Sequence, residues 1–237
     1  MRSQVISAVA GLWVAAGQGA YAQDQGTASG TVVELYTSQG CSSCPPADEY
    51  LRKLAEEPGV IALALHVDYW DYIGWTDKFG DEKFTARQKA YAHAVKSNTI
   101  YTPQMIVGGV DQVEGTDPAM VEAAIRRHQQ ASPMVALQLM RHGTDLMIAA
   151  QANPPLEAPR RVQLVRYHPM ASVAIRDGEN AGRVLDYANV VTSWTLLGQW
   201  DGQADLQMTA PVEGEDPVVV ILQAEGPGKI YAAAQVK

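Results

Sequence analysis

The chain has 237 residues, is 47% hydrophobic and carries 18 basic against 26 acidic residues, a net charge of −8. That length and apolar share support one large core or two modest ones, and they exclude a disordered or fibrous chain. Acidity without a Lys/Arg cluster argues against nucleic acid or an anionic membrane surface as a partner.

In chain order, residues 1–22 read as a secretory signal peptide, to be set aside before fold reasoning. Met1 and Arg2 give a basic start, and residues 5–16 form a mostly apolar run of signal-core length. Ala20-Tyr21-Ala22 then offers small residues at both positions a signal peptidase reads. A membrane span needs roughly 20 apolar residues. An anchor is therefore the weaker reading, and no membrane insertion is expected of the mature chain. Cleavage removes Arg2, leaving 17 basic against 26 acidic residues and a net charge of −9. Residues 23–29 read as a linker.

Thr31–Thr37 (TVVELYT) is rich in β-branched and aromatic residues and predicts a strand. Residues 47–57 place Ala47, Tyr50, Leu51, Leu54 and Ala55 at helical spacing, and Pro58-Gly59 stops that helix. Residues 60–67 (VIALALHV) are a near-continuous apolar run, as in a strand buried on both faces. Residues 81–96 put Phe84, Gln88, Tyr91 and Val95 on one helical stripe. Gln104–Val107 is a short strand before the Gly108-Gly109 turn. Thr116-Asp117-Pro118 opens a helix continued by Val121, Ala124 and Ile125. Alternating strands and helices of this kind imply an α/β domain around a central sheet. From Pro133 onward the pattern is short strand-like segments separated by turn residues, among them 162–167, 172–175, 183–191, 194–197 and 218–224. That spacing suggests an antiparallel β-sandwich.

The only two cysteines are Cys41 and Cys44. Closing so short a loop yields little entropic stabilisation, so the pair points to redox chemistry or metal binding. Export would place it where disulfides persist. The pair follows a strand and opens a helix, whose N-terminus favours the reactive thiolate. The second cysteine, one turn on, can resolve a mixed disulfide formed by the first. Pro45-Pro46 suit the first helical positions, which leaves Cys41 in the entering loop. Two thiolates with His66 could instead hold a soft cation such as Cu(I). Zinc would want four ligands, and His93, His128, His142 and His168 are scattered, so no metal ligand is assigned.

Five stretches carry a family pattern: 33–48 (VELYTSQGCSSCPPAD), 66–75 (HVDYWDYIGW), 84–91 (FTARQKAY), 101–104 (YTPQ) and 178–190 (GENAGRVLDYANV). In these the chain resembles the bacterial secreted, thioredoxin-like proteins of unknown function grouped as DUF1223. The resemblance implies a thioredoxin-like fold and a Gram-negative periplasm, and supplies no substrate. It also implies a cis Thr102-Pro103 peptide facing the cysteines, exposing the Thr102 backbone for strand-like pairing with a substrate. The Ser-Ser dipeptide between the cysteines departs from ordinary thioredoxins, and residues 69–101 look like an inserted helical cap.

The resemblance also implies a buried acid beneath the cysteines that relays protons, as in many thioredoxins; Glu34, an acid in an apolar strand and so expected to have a raised pKa, is the candidate, with a structural hydrogen bond as the alternative. The aromatic stretch after His66 fits core for the cap better than a substrate groove. The turn-rich loop 177–182 fits a tight hairpin that could dock near the cysteines.

The expectation is thus an α/β thioredoxin-like domain with an inserted helical segment over residues 30–131, followed by an antiparallel β-sandwich domain over 132–237. Its leading function is an exported, periplasmic thiol–disulfide oxidoreductase acting on a thiol or disulfide substrate protein. Cys41 would attack, Cys44 resolve and Pro103 dock the substrate. No organic cofactor is needed, because the electrons reside on sulfur. The alternatives are a non-catalytic binding module with a static disulfide, or a copper carrier.

Overall fold

The structure, a computed structural model, describes residues 28–237. The signal-peptide reading of residues 1–22 and most of the linker lie outside the described residues. The first half runs β1 (Ala28–Ser29), β2 (Thr31–Thr37), α1 (Pro45–Leu54), β3 (Val60–His66), a 3-10 turn (Asp71–Ile73), α2 (Glu82–Ala94), β4 (Gln104–Val107), β5 (Asp111–Glu114) and α3 (Pro118–Gln130). The second half is all strand: β6 (Val135–His142), β7 (Asp145–Ala152), β8 (Arg160–Ala174), β9 (Val184–Trp200), β10 (Leu206–Pro211), β11 (Val218–Gln223) and β12 (Ile230–Val236).

Local chemistry explains the helix ends. Prolines occupy the start of α1 and α3, where a missing N–H costs nothing. Asp81 and Asp117 cap α2 and α3 by accepting from Lys83 N at 2.8 Å and Met120 N at 3.1 Å, each worth about 1 kcal/mol. The seven residues of β3 are all buried, which is the reason this strand is apolar throughout.

The strand pairing overturns the expected fold class. The chain is not a thioredoxin-like α/β domain with an inserted helical segment followed by a β-sandwich. Among the described residues it is a mostly β fold with three α-helices: a mixed sheet in the order β1-β12-β11-β8-β9-β3-β2-β4-β5, and a three-stranded antiparallel sheet in the order β10-β7-β6. The larger sheet runs through both halves of the chain. Ala64 of β3 pairs in parallel with Val190 of β9, and the Asn189 side chain adds a 2.8 Å bond to the carbonyl of Ala62. One hydrophobic cluster joins Val32, Tyr36 and Leu63 to Val165, Val191, Val219 and Ile221. Periodicity revealed the elements but not their partners: the free edge of β3 is apolar on both faces, and β9 covers it. The stretches 162–167 and 172–175 are one strand, as are most of 183–191 and 194–197. Together they form a long hairpin, β8–β9, with irregular pairing near Val162 and Arg166.

Alternation along β2 and β3 sorts side chains to two faces. Val33, Leu35, Ala62 and Ala64 pack against α1 and α3. Tyr36, Ile61, Leu63 and Leu65 pack against Phe84 and Tyr91 of α2. Thr37 and His66, opposite one another in the ladder, end the face that α1 covers.

Candidate functional site

Cys41 and Cys44 form a disulfide with Cα atoms 5.4 Å apart. Cys44 is the N-cap of α1, and its carbonyl accepts from the N–H groups of Ala47 at 2.8 Å and Asp48 at 3.1 Å. Because Pro45 and Pro46 fill the first helical positions and carry no N–H, the dipole of α1 rather than a set of amide donors acts on the sulfurs. Cys44 is fully buried and Cys41 is 2% exposed. The Cys41 sulfur lies 3.4 Å from the Ser43 hydroxyl.

Two segments cover this loop. Asn180, buried in the loop between β8 and β9, donates to the carbonyls of Gln39 at 2.9 Å and Cys41 at 3.0 Å. Its own side-chain oxygen accepts from Arg183 at 2.8 Å. The turn-rich loop 177–182 therefore docks on the cysteine loop from the far half of the chain. From the other side, Trp75 Nε1 donates to Gln39 Oε1 at 2.9 Å. Trp70 and Ile73 close on Gly40, where a Cβ would lie 3.3 Å from each. The aromatic stretch is not all core: Tyr72 is 80% exposed and stacks on Trp70 at 6.4 Å between ring centres.

The Thr102-Pro103 peptide is cis. Pro103 is buried, and its Cβ and that of Ala47 flank Gly115, at 3.0 and 3.2 Å from where a Cβ on that glycine would sit. Pro103 therefore stands against the first turn of α1. The Thr102 hydroxyl accepts from Trp70 Nε1 at 2.7 Å, which ties the proline loop to the aromatic segment.

Two buried acids flank the sheet. Glu34 points to the α2 face, away from α1 and the cysteines. Its carboxylate accepts from Arg87 at 2.7 and 2.9 Å, from Tyr91 OH at 2.6 Å and from Tyr36 OH at 3.0 Å. That pairing matches the structural alternative for Glu34, and the relay role fails on placement. Asp48, on α1, lies on the cysteine side. Its Oδ1 accepts from the Thr37 hydroxyl at 2.8 Å, while its Oδ2 is buried and makes no hydrogen bond within the protein. Burial pushes the Asp48 carboxyl up to about 7, against the lowering pull of His66 and the Thr37 hydroxyl.

His66 is fully buried and its Nδ1 lies 2.7 Å from Asp77 Oδ2. Burial alone would raise Asp77; the His66 ring and the N–H groups of Gln39 and Phe79 hold it below the usual carboxylate range. Tyr187 of β9 meets the His66 ring edge-on at 4.9 Å. The structure thus gathers Cys41, Cys44, Pro103 and His66 around the head of α1. Asp48, Asp77 and Tyr187 are not singled out by the sequence, whereas Asn180 lies in the loop 177–182 expected to dock near the cysteines. Asp48 alone carried a local signal, standing four residues after Cys44 on one helical face; the others arrive by long-range packing. Among the described residues, no group of three or more His, Cys, Asp or Glu side chains is arranged to hold a metal ion.

A family described as "Protein of unknown function (DUF1223)" matches residues 32–223. The X-ray crystal structure of protein AGR_C_4864 from Agrobacterium tumefaciens is 32% identical, with 87% of this chain covering 93% of that one at a TM-score of 0.74. HBP35 of Porphyromonas gingivalis matches over 87% of this chain and 74% of its own, at a TM-score of 0.62 and 11% identity, a likeness of fold alone. No curated protein matches the chain.

Proposed function

The chain belongs to the DUF1223 family, and we propose that it is an exported, periplasmic thiol–disulfide oxidoreductase that works through Cys41 and Cys44 on protein or small thiol substrates. The observation that carries this reading is the cluster of buried polar side chains at the head of α1. A disulfide closing a four-residue loop contributes little to stability, yet a buried carboxyl held at about 7 stands one helical turn behind it. Perturbed acids of that kind gather where protons are exchanged.

In the reducing direction, the Cys41 thiolate attacks one sulfur of a client disulfide. The client S–S bond breaks and its electron pair leaves on the other client sulfur. Cys44 then attacks Cys41, forming the intramolecular disulfide and releasing the second client thiol. Oxidation of a client dithiol is the reverse sequence. The dipole of α1 favours the Cys41 thiolate, and Pro103 borders the client's approach. Residues 30–131 carry the reacting groups, and residues 132–237 supply the hairpin that covers them.

The burial of Cys41 favours a second reading, a binding module with a static disulfide. The Cys44→Ser variant, expressed in its native compartment with Cys41→Ser as control, separates the two. Discrete mixed disulfides on a non-reducing gel with Cys44→Ser, absent from the control, are expected. Their absence from both folded variants would overturn the oxidoreductase in favour of the binding module.

A further inference from the structure

Six buried side-chain polar atoms among the described residues make no hydrogen bond within the protein. Two are Arg160 Nε and Arg166 Nε, whose guanidinium groups bond elsewhere. The other four, Gln39 Nε2, Asp48 Oδ2, His66 Nε2 and Tyr187 OH, belong to neighbouring side chains of four different segments: Tyr187 meets the His66 ring edge-on, Gln39 N–H and His66 both bond Asp77, and Asp48 lies within electrostatic reach of His66, Asp77 and Tyr187. Buried polar groups are ordinarily paired, and here the pairing is incomplete in one place. The four atoms complement each other chemically. Asp77 Oδ2 occupies His66 Nδ1, which leaves Nε2 as the ring's unpartnered nitrogen. Asp48 Oδ1 is already engaged by Thr37, so a proton on Asp48 resides on Oδ2. Tyr187 OH and the Gln39 amide add donors, and such a set can hold one internal water.

We infer that Asp48, with His66 set beside it, holds the proton that the cysteine pair exchanges. Cys44 and Asp48 are four residues apart on α1, hence on one face. Helical side chains lean toward the N-terminus, which carries the Asp48 carboxyl toward the Cys44 turn. When a thiolate attacks the Cys41 sulfur, the S–S electron pair passes to Cys44 and the Asp48 proton passes to that sulfur, giving a neutral buried thiol and a carboxylate. In the return step, Cys44 yields the proton to Asp48 as its sulfur attacks Cys41 and the client thiolate leaves. No further reactant is needed. The groups facing this proton are His66 from β3, Asp77 from the segment before α2, Tyr187 from β9 and Arg183 from the turn before it, with Asp48 and the cysteines themselves. Burial, then Asp48 and Asp77, raises Tyr187 far above its ordinary value, so it stays neutral. His66 acts through Asp48, as a positioning residue.

This inference rests on the thiol–disulfide reading, and one experiment distinguishes their failures. The native disulfide of the full chain is reduced with dithiothreitol from pH 5 to 9, and the rate is divided by the dithiothreitol thiolate concentration. The normalised rate of the wild type is expected to fall about tenfold per pH unit above pH 7 as Asp48 loses its proton, down to the rate of Asp48→Asn. Asp48→Asn should be roughly 100-fold slower at pH 6, the lower end of what a positioned acid supplies, and flat with pH. His66→Gln removes a charge that lowers Asp48 and should move the inflection to higher pH, while Glu34→Gln leaves it in place. A flat wild-type profile, or an inflection that persists in Asp48→Asn, overturns the inference and leaves the oxidoreductase standing. A native disulfide that dithiothreitol cannot reduce while the protein stays folded overturns both. Should Asp48→Asn not fold, Thr37→Val decides. It deletes the hydroxyl that lowers Asp48 and must move the inflection to higher pH; an unmoved inflection overturns the inference.

Discussion

Glu34 and Asp48 are two buried carboxylates on opposite faces of the same central sheet, and they are built for opposite ends. Glu34 has both oxygens engaged by Arg87 and two tyrosines. Arg87 in turn lies over the Trp194 ring at 3.7 Å and donates to Gln223 of β11 at 3.0 Å, so the network ties α2 to strands of both halves. Asp48 has one oxygen engaged and one buried without a partner. A fully paired charge is a fastener, costly to break and with no proton to lend. A half-paired acid held at about 7 is a poor fastener, and its proton can move at neutral pH. The pairing around a buried acid, rather than its burial, separates structure from chemistry.

The largest expected effect tests the fastener. Glu34→Ala strands Arg87 without its counter-charge and should destabilise the fold by about 3–5 kcal/mol, read from urea unfolding. Reduction of the disulfide by dithiothreitol should proceed at the wild-type rate in the protein that remains folded. A small loss would mean that water solvates Arg87 and that the network is dispensable.

Neutralising Asp48 should have the opposite sign. Its carboxyl titrates at about 7 in the fold against an ordinary 3.8. Between these values the folded state binds more protons than the unfolded one, so stability declines as pH rises from 4 to 7 and levels above. The decline is roughly 3–4 kcal/mol, at about 1.4 kcal/mol per unit. Asp48→Asn should erase the slope and be more stable than the wild type at pH 8, compared by urea midpoints at pH 4.5 and 8. A variant less stable at both values would make Asp48 a fastener like Glu34 and dissolve the contrast.

Asn180 separates cover from chemistry. Asn180→Ala removes two hydrogen bonds to the cysteine loop and leaves two carbonyls less satisfied, a cost of about 1–3 kcal/mol. Loosening the hairpin should speed reduction of the disulfide several-fold while leaving the pH of the Asp48 inflection unchanged. A slower reduction would show that Asn180 orients the loop for attack instead of covering it.

These contrasts also mark how far the sequence could be read. The strand Thr31–Thr37, the strand Gln104–Val107 and the helix start at Pro118 coincide with elements of the structure, because β-branched runs, caps and prolines act locally. Pairing is not local. The segments 162–167 and 172–175, expected as separate strands, are one strand, β8, in which His168 pairs with Val190 and Met170 with Ala188 on either side of Asn189, whose φ is 50°. At that point Asn189 bonds the Ala62 carbonyl and β9 pairs with the edge of β3. Alternation in β2 correctly separates Glu34 from Val33 and Leu35. Which face lies beneath the cysteines is decided by where α1 crosses, and no pattern within β2 records that. Asp48 stood in plain view at helical spacing from Cys44, but Tyr187 and Asp77, which interact with it electrostatically, are far away in sequence.

The smallest effect concerns the surface beside the site. Tyr72 is 80% exposed and stacked on Trp70, which closes on Gly40 next to Cys41. An aromatic face in that position gives a client polypeptide apolar area to rest on, at little cost in side-chain entropy. Such contact is the same before and after the sulfur attack, so it lowers KM without raising kcat. Tyr72→Ala should therefore raise KM for a disulfide-bearing protein client a few-fold, leave kcat unchanged, and leave the rate with dithiothreitol, which is too small to reach the ring, at the wild-type value. Equal losses with the protein client and with dithiothreitol would mean that Tyr72 props the loop through Trp70. The exposed aromatic pair would then belong with the fasteners of the fold, alongside Glu34.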